Sequence, residues 1–207
     1  MKKVQIVESP YIRCLLSELR ESATEREKFR MISDKLFDVL VEAAIEESDT
    51  KAGTARTPVG VAVSHRVEKD FVVISVLRSG IAMIPSALKI LPHARIGFAG
   101  VVRDEVTAKP SEYYWKMPPI KKNSVLLIID PMLATGGTVL HVLKNLEGIG
   151  GERRLVCAVA SPEGIDALHK AYPNVHVVTA SVDEGLNNNK YIVPGLGDFG
   201  DRYFGTE

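Results

Sequence analysis

The sequence predicts an α/β protein with a mainly parallel central sheet flanked by helices. From Phe71 onward, short apolar strands alternate with helical segments, which is typical of parallel strands joined by right-handed crossovers. Residues 125–129 are five consecutive aliphatic residues, the pattern of a strand buried on both faces of a sheet. The chain of 207 residues is long enough for one substantial core, so we expect a single domain over residues 1–207.

The N-terminal region, about residues 10–48, is predicted to be helical. Thr24 and Glu27 have the spacing of a capping box, and apolar residues then recur at helical spacing from Phe29 to Ala43. Residues 59–67 alternate apolar with smaller or polar side chains, which indicates a half-exposed strand or hairpin at an edge or in an appendage.

The alternating part of the chain supplies the sheet and its covering helices. Ser161 is expected to cap a helix that has Pro162 at its first position. The helix after residue 138 is expected to end at Gly148. The predicted strands are residues 71–77, 96–102, 125–129, 155–160 and 175–180, and the helices include residues 81–90 and 162–171.

The amino-acid composition limits the kinds of partner that the protein is expected to bind. Lys and Arg together number 26, as do Asp and Glu, so no global field attracts nucleic acid or an anionic membrane, and neither partner is expected. No apolar stretch of transmembrane length occurs, which favours a cytoplasmic protein. Cys14 and Cys157 are expected to be buried and reduced, and the five scattered histidines predict no metal site.

Candidate functional residues follow the predicted strands. In sheets of this class, ligands bind beyond the carboxyl ends of the strands. Arg78, Arg103, Asp130 and the pair Asp183 and Glu184 occupy such positions. Two guanidinium groups at neighbouring strand ends are suited to a pyrophosphate.

Residues 135–138, Thr-Gly-Gly-Thr, open the helix that follows Asp130. Their backbone amides meet no bulky side chain at the two glycines, and amides at a helix N-terminus favour an anion. A glycine pair that only permits a tight bend is the structural alternative. With the strand and the two arginines, the pattern favours a ligand that carries a phosphate at one end and a pyrophosphate at the other.

The whole motif resembles the ribose-phosphate motif of the type I phosphoribosyltransferases, in the form found in their uracil branch. Pro131 stands where most members have a second acid, and residues 76–80 are similar to the family's pyrophosphate loop. The resemblance implies the type I phosphoribosyltransferase fold, with Arg78, Arg103, Asp130 and Asp198 as the catalytic set. The residues it implies for binding phosphoribosyl pyrophosphate (PRPP) are Arg78, Arg103, Asp130, Pro131, Met132, Leu133, Ala134, Thr135, Gly136, Gly137, Thr138 and Asp198.

The C-terminal segment, about residues 183–207, is predicted to fold down as a hood. Residues 195–200 match the Gly-x-Gly-x-x-Gly dinucleotide fingerprint, but Pro194 precedes them and the helix and acid of that fold do not follow. The string from Tyr191 to Arg202 instead resembles the uracil-binding segment of the uracil phosphoribosyltransferases. This implies that the uracil pocket is lined by Ile192, Gly197, Asp198 and Phe199, the last of which stands where a small residue is usual at the pocket lip.

Residues 103–123 are too long and polar for an ordinary crossover and are predicted to form a lid or contact arm. Their aromatic residues lack the basic surroundings needed for stacking on single-stranded nucleic acid. The resemblance implies a protruding β-arm here, which closes the site or joins subunits in a homodimer or higher homo-oligomer.

For function, the resemblance implies transfer of the 5-phosphoribosyl group from PRPP to N1 of uracil, giving UMP and pyrophosphate in pyrimidine salvage. It also implies Mg²⁺ that arrives with PRPP, and it allows a nucleotide effector such as GTP. Two alternatives remain at this point: a pyrimidine-responsive RNA-binding regulator of the same fold, and a phosphoribosyltransferase for another base.

Overall fold

The computed structural model describes residues 4–46, 48, 50–103 and 110–206, and the side chains of Arg103 and Pro110 lie outside its description. Strands and helices alternate through most of the chain, as the sequence predicts. In chain order the elements are β1 (Val4–Ile6), α1 (Pro10–Arg20), α2 (Arg26–Ile45), β2 (Thr50–Thr57), β3 (Gly60–Val67), β4 (Asp70–Leu77), a 3-10 helix (Ser79–Met83), α3 (Ile84–Ile90), β5 (Arg95–Arg103), β6 (Pro110–Lys116), β7 (Ser124–Ile129), β8 (Met132–Leu133), α4 (Gly137–Asn145), β9 (Glu152–Ala160), α5 (Pro162–Ala171), β10 (His176–Val182), β11 (Gly185–Leu186), β12 (Ile192–Val193) and α6 (Phe199–Phe204).

The central sheet has eight strands within the described residues, in the order β1-β10-β9-β7-β4-β5-β6, with the short β8 beside β9. Each neighbouring pair is parallel except β5 with β6, which confirms the mainly parallel sheet. Strand β7 is buried along its whole length. Apolar clusters cover both faces of the sheet, one beneath α1, α2 and the hood and the other beneath α4 and α5, as two-sided burial requires. Because the strands are parallel, their carboxyl ends lie along the same edge of the sheet.

The N-terminal region is helical, but its predicted capping box is wrong. The hydroxyl of Thr24 donates to the carbonyl oxygen of Glu18 at 2.6 Å, and helix α2 begins after Glu25 with no side-chain cap. Thr24 thus ties the end of α1 to the start of α2. The thiol of Cys14 is exposed, contrary to expectation, whereas Cys157 is free and buried, and burial raises its pKa to about 12.

The segment at residues 103–123, predicted as a protruding β-arm, contains a β-strand at the edge of the sheet where it is described. Residues 110–116 form β6, which pairs antiparallel with β5, and residues 104–109 lie outside the described residues. Gly100 on β5 permits this close approach, because a Cβ there would stand 2.7 Å from the ring of Tyr113 and 2.8 Å from the Cβ of Tyr114.

The hairpin β2–β3 is the element that forms a separate two-stranded sheet, and all of its strand residues are exposed except Ser64, which is partly buried. The pattern of residues 59–67 thus identified half of this hairpin. Its first strand, β2, carried no comparable alternation of apolar residues.

The residues after β10 fold back as the hood. Strands β11 and β12 pair antiparallel, and α6 packs against α2. Ile192, Leu196 and Phe199 are buried, so apolar surface holds the hood to the body of the protein. No helix among the described residues is long and apolar enough to cross a membrane.

Candidate active site

Two predicted site loops meet at the carboxyl edge of the sheet. Strands β4 and β7 are parallel neighbours, with Ser75 opposite Ile129, so the loops that follow them start side by side. The hydroxyl of Ser79 donates to Oδ1 of Asp130 at 3.2 Å. The predicted pyrophosphate loop therefore contacts the predicted ribose acid directly.

Asp130 is a nearly buried carboxyl group, with 8 % of its surface exposed. Burial raises its pKa from an ordinary 3.8 to about 7, with hydrogen bonds from the amide of Met132 and from Ser79 opposing the shift and the nearby charge of Asp198 adding to it. Near neutral pH, Asp130 is thus poised between its two protonation states in the ligand-free protein. A perturbed carboxyl in a cleft is typical of a functional site.

The residues 130–138, which we call the phosphate loop, lead from β7 into the N-terminus of α4. Gly136 adopts a left-handed conformation with φ of 77°, and α4 begins at Gly137. The hydroxyl oxygen of Thr135 accepts from the amide of Gly137 at 3.4 Å, which orients the first turn. Backbone N–H groups at such a terminus have no acceptor within the helix and are available to a phosphate.

Ser161 secures this loop from the neighbouring strand end. Its hydroxyl accepts from the amide of Gly164 at 2.9 Å, which confirms the predicted cap of α5, and donates to the carbonyl oxygen of Ala134 at 2.7 Å. Its amide donates to the carbonyl oxygen of Leu133 at 2.9 Å. The cap was visible in the sequence, but its second role in holding the phosphate loop was not, because Ala134 and Ser161 meet only through the pairing of β8 with β9.

A cavity of about 370 Å³ lies between the phosphate loop and the hood. It brings Asp130 together with the hood residues implied by the resemblance, and adds four hood residues outside the predicted set: Gly200 and the run Asn189, Lys190 and Tyr191. The position of that run directly before Ile192 was its only signal. The full lining is Ser79, Asp130, Met132, Ala134, Asn189, Lys190, Tyr191, Ile192, Gly197, Asp198, Phe199 and Gly200.

Phe199 borders this cavity, yet its side chain belongs to the core. Only 1 % of the residue is exposed, and its ring lies 5.3 Å from that of Phe29, 5.5 Å from that of Phe37 and 5.5 Å from that of Tyr203 between centroids. Helix α6 begins at this residue, which turns the ring toward α2. The ring of Phe199 therefore packs in the core and does not form the pocket lip.

The charged residues of the predicted set have different surroundings. Asp198 caps α6, since its Oδ1 accepts from the amide of Asp201 at 3.0 Å. The exposed guanidinium of Arg78 donates to Asp201 and to the hydroxyl of Thr206, both at 3.3 Å, so it contacts the hood. For Arg103, the structure places the backbone at the end of β5, and its side chain lies outside the described part.

Asp183, another strand-end candidate, does not line the cavity. Its carboxylate forms a buried ion pair with Arg20 of α1, at 2.6 Å between Nη2 and Oδ1. Within the described residues, no group of three or more His, Cys, Asp or Glu side chains is placed to hold a metal ion. Negative charge in the cavity is limited to Asp130 and Asp198 among the residues that line it.

Comparison with known proteins gives a consistent result. The family model described as "Uracil phosphoribosyltransferase" matches residues 6–206. A uracil phosphoribosyltransferase from Shouchella clausii is 41% identical over 209 residues and covers 100% of both chains, and one from Metamycoplasma arthritidis is 38% identical over 204 residues and covers 98% of both. The structure of the AQ2163 protein from Aquifex aeolicus has a TM-score of 0.92 at 32% identity and covers 99% of both chains. An adenine phosphoribosyltransferase from Leishmania donovani shares the fold at 12% identity, with a TM-score of 0.57 over 92% of this chain and 88% of its own.

Proposed function

Since this chain belongs to the uracil phosphoribosyltransferase family, we propose that the cavity between the phosphate loop and the hood is its active site. The enzyme transfers the 5-phosphoribosyl group from PRPP to N1 of uracil, giving UMP and pyrophosphate in pyrimidine salvage. The observation that carries the site assignment is the single cavity that joins Asp130 to Ile192, Gly197 and Asp198. The donor and the acceptor base would meet there.

The phosphate loop binds the 5-phosphate of PRPP in this proposal. Amides at the N-terminus of α4 face the anion, and the hydroxyls of Thr135 and Thr138 add donors. Ser161 keeps the loop in place through Ala134. Because these donors are held before the substrate arrives, binding requires little reordering of the backbone.

Asp130 binds the ribose hydroxyls. Donors from the sugar stabilise the ionised carboxylate, so binding shifts Asp130 from its half-protonated state toward the anion. The anion then lies beside the sugar carbon that becomes positively charged as its bond to pyrophosphate breaks. Electrostatic stabilisation of this kind, in a site screened from water, is a major source of rate enhancement.

The leaving pyrophosphate is assigned to Arg78 and Arg103. The guanidinium of Arg78 uses two of its five N–H groups on the hood, at 3.3 Å each, and the others remain for phosphate oxygens. Strand β5, which ends at Arg103, pairs directly with β4, which ends just before Arg78. The two arginines therefore follow adjacent strands at one edge of the sheet, as a clamp on a single anion requires.

The hood selects uracil through its backbone. Uracil presents an acceptor, a donor and an acceptor at O4, N3–H and O2, and main-chain amide and carbonyl groups at the cavity-lining Gly197 and Asp198 are of the types that can meet that order with little side-chain bulk. Cytosine has an amino group at position 4 and no hydrogen on N3. It would leave buried polar groups unpaired, which is the most effective way to reject a close analogue.

Magnesium enters with PRPP in this proposal. Two carboxylates in the cavity are too few for an all-protein site, whereas Mg²⁺ readily keeps substrate phosphate oxygens and water as ligands. When bound, the ion would neutralise the pyrophosphate, with Asp130 and Asp198 as the nearby carboxylates. Titration of the ligand-free protein with Mg²⁺ is expected to show no tight site, while turnover requires the ion. Tight binding without PRPP would contradict this assignment.

We also propose a homodimer formed through the hairpin β2–β3. Val61 and Val63 lie on one face of β3 and are 74% and 71% exposed, an apolar surface that a second copy would cover. The double substitution Val61→Lys, Val63→Lys should shift the sedimentation of the protein from dimer to monomer, and an unchanged sedimentation would reject this interface. We propose separately that a nucleotide such as GTP acts as an effector. Adding GTP to the activity assay tests this.

The decisive experiment measures pyrophosphate release from PRPP with a panel of nucleobases. Product is expected with uracil and not with cytosine, adenine, hypoxanthine or orotate. Asp130→Asn and Arg103→Ala should cripple turnover while the protein stays folded by circular dichroism. Full activity in both variants would overturn the site assignment without touching the fold.

A further inference from the structure

Asp183 and Arg20 form a buried ion pair beneath the hood. Nη1 of Arg20 lies 2.7 Å from Oδ2 of Asp183 and Nη2 lies 2.6 Å from Oδ1, so the guanidinium binds both carboxylate oxygens. The side chain of Asp183 is 2% exposed and that of Arg20 is 25% exposed. Ser181 donates to the same carboxylate at 2.6 Å and accepts from Arg20 at 3.1 Å.

Both partners also bind the backbone of one hood residue, Gly195. The amide of Gly195 donates to Oδ2 of Asp183 at 2.9 Å, and the carbonyl oxygen of Gly195 accepts from Nη1 of Arg20 at 2.9 Å. Gly195 has φ of 59° and follows the cis peptide between Val193 and Pro194. The ion pair thus grips both polar groups of the residue at which the hood turns.

This residue lies between the two stretches that line the cavity. Ile192 lies three residues before Gly195, and Gly197 and Asp198 lie two and three residues after it, while Gly195 itself does not line the cavity. The ion pair therefore contacts the hood at its centre and touches the cavity nowhere. Its effect on the pocket must pass through the backbone.

The electrostatics agree with a paired, ionised carboxylate. Burial alone would raise the pKa of Asp183, but hydrogen bonds from Arg20 and Ser181 outweigh it and hold that pKa below its ordinary value. A charge pair of this kind adds little to stability in comparison with apolar packing, whereas its contacts to the N–H and C=O of Gly195 hold one backbone geometry. The hood already has apolar packing from Leu196 and Phe199.

We propose that Arg20 and Asp183 are positioning residues for the uracil pocket: by fixing the N–H and the C=O of Gly195, they set the backbone on either side that receives the base. The inference rests on the proposed assignment of Ile192, Gly197 and Asp198 to that pocket. It extends the proposed function by naming two residues outside the site that control affinity for the base and that, within the described part of the chain, make no hydrogen bond to the loops at residues 76–80 and 130–138.

The test substitutes Arg20→Lys. Lysine keeps the positive charge but, as a single ammonium, cannot hold both carboxylate oxygens and the Gly195 carbonyl in the same planar arrangement. Steady-state kinetics should show a rise of about tenfold or more in KM for uracil, with KM for PRPP changed less than about twofold. The fold should survive, because Arg202 still donates to the carbonyl oxygens of Leu19 at 2.6 Å and Leu196 at 2.8 Å.

The matched control is Arg154→Lys. Arg154 is 2% exposed, more deeply buried than Arg20, and pairs with Glu152 at 2.7 Å, but it lies at the amino-terminal end of β9, away from the site. It should lower the thermal midpoint without changing either KM. The milder Ser181→Ala, which removes one hydrogen bond from each partner of the pair, should raise KM for uracil about twofold to fivefold and decides the matter if Arg20→Lys does not fold.

Three results would overturn the proposal. These are an unchanged KM for uracil in the folded variant, a parallel rise in both KM values, and a uracil-specific rise in the Arg154→Lys control. Ile192→Ala separates this inference from the pocket assignment, because a residue that lines the pocket must affect KM for uracil whether or not the ion pair matters. If Ile192→Ala leaves that KM unchanged, the pocket assignment fails first.

Discussion

Replacing Asp130 with Asn should make the ligand-free protein more stable while it disables the enzyme. The side chain keeps its size and an oxygen that accepts from Ser79, but it no longer carries a charge. In the wild-type protein that charge is held in a nearly buried position, 8% exposed, with Asp198 nearby as a second negative group. A catalytic group in such surroundings lowers stability in exchange for reactivity.

The magnitude follows from the pKa. Burial raises the pKa of Asp130 from 3.8 to about 7, and each unit corresponds to about 1.4 kcal/mol, so ionisation costs the folded state about 4 kcal/mol at high pH. The folded state binds the proton more tightly than the unfolded chain, so this group's contribution to stability is lost as the pH rises from about 4 to about 7. The new amide of Asn lacks an evident acceptor, which costs about 1–3 kcal/mol. The net gain at pH 8 is therefore about 2 kcal/mol.

Urea denaturation of wild type and Asp130→Asn at pH 5 and pH 8 measures this directly. The difference in free energy of unfolding should move in favour of the variant by about 2–3 kcal/mol between the two pH values. In the same preparations kcat should fall about hundredfold or more. Asp70→Asn is the control: hydrogen bonds and charge from Ser124 and Arg95 overcome burial and lower the pKa of Asp70, so that variant loses stability in this range and keeps its activity. A stability difference that does not change with pH would refute the reasoning.

Three further substitutions test the loop, its support and the core. Gly136→Ala places a Cβ at a residue with φ of 77°, 3.1 Å from the carbonyl oxygen of Gly164, and so strains the phosphate loop. Steady-state kinetics should show KM for PRPP raised about tenfold, with KM for uracil unchanged. Equal KM values for PRPP in wild type and variant would contradict this strain. Ser161→Ala removes the cap of α5 and the hydrogen bond to Ala134, and should lower the free energy of unfolding in urea by about 1–2 kcal/mol. An unchanged free energy of unfolding would count against the support that Ser161 gives to the phosphate loop. Phe199→Ala should cost about 3–5 kcal/mol by the same measurement, because its ring packs against Phe29 in the core, and a cost below about 1 kcal/mol would place the ring elsewhere.

Features that depend on neighbouring residues in the chain were predictable. Five aliphatic residues before Asp130 indicate a buried strand, and Thr-Gly-Gly-Thr after it indicates a phosphate-binding turn, because backbone conformation and side-chain burial act there over a few residues. The cap at Ser161 followed from the same local chemistry. The types of β4, β5, β7, β9 and β10 and of α3, α4 and α5 were predictable for this reason.

Features that depend on distant partners were not. The pairing of the edge strand β6 with β5 was not predicted, because it depends on a close approach at Gly100 that no local pattern reveals. Thr24 bonds to Glu18 where a capping box was expected, since the angle between α1 and α2 decides which acceptor it reaches. Asp183 looked like a ligand-binding residue at a strand end until the structure placed Arg20 against it.

The sequence alone supplied the residues on which the proposed chemistry rests: a glycine-containing loop after β7 proposed to bind phosphate, an acid proposed to bind the ribose and a glycine-rich hood proposed to bind the base. Each is a short run of residues whose donors and acceptors are specified by their types. Only the tertiary structure decided that the phosphate loop and the hood enclose one cavity, that the ring of Phe199 belongs to the core, and that Arg20 holds the hood at Gly195. These outcomes depend on contacts between segments far apart in the chain, and such contacts follow from packing as a whole and not from any local pattern.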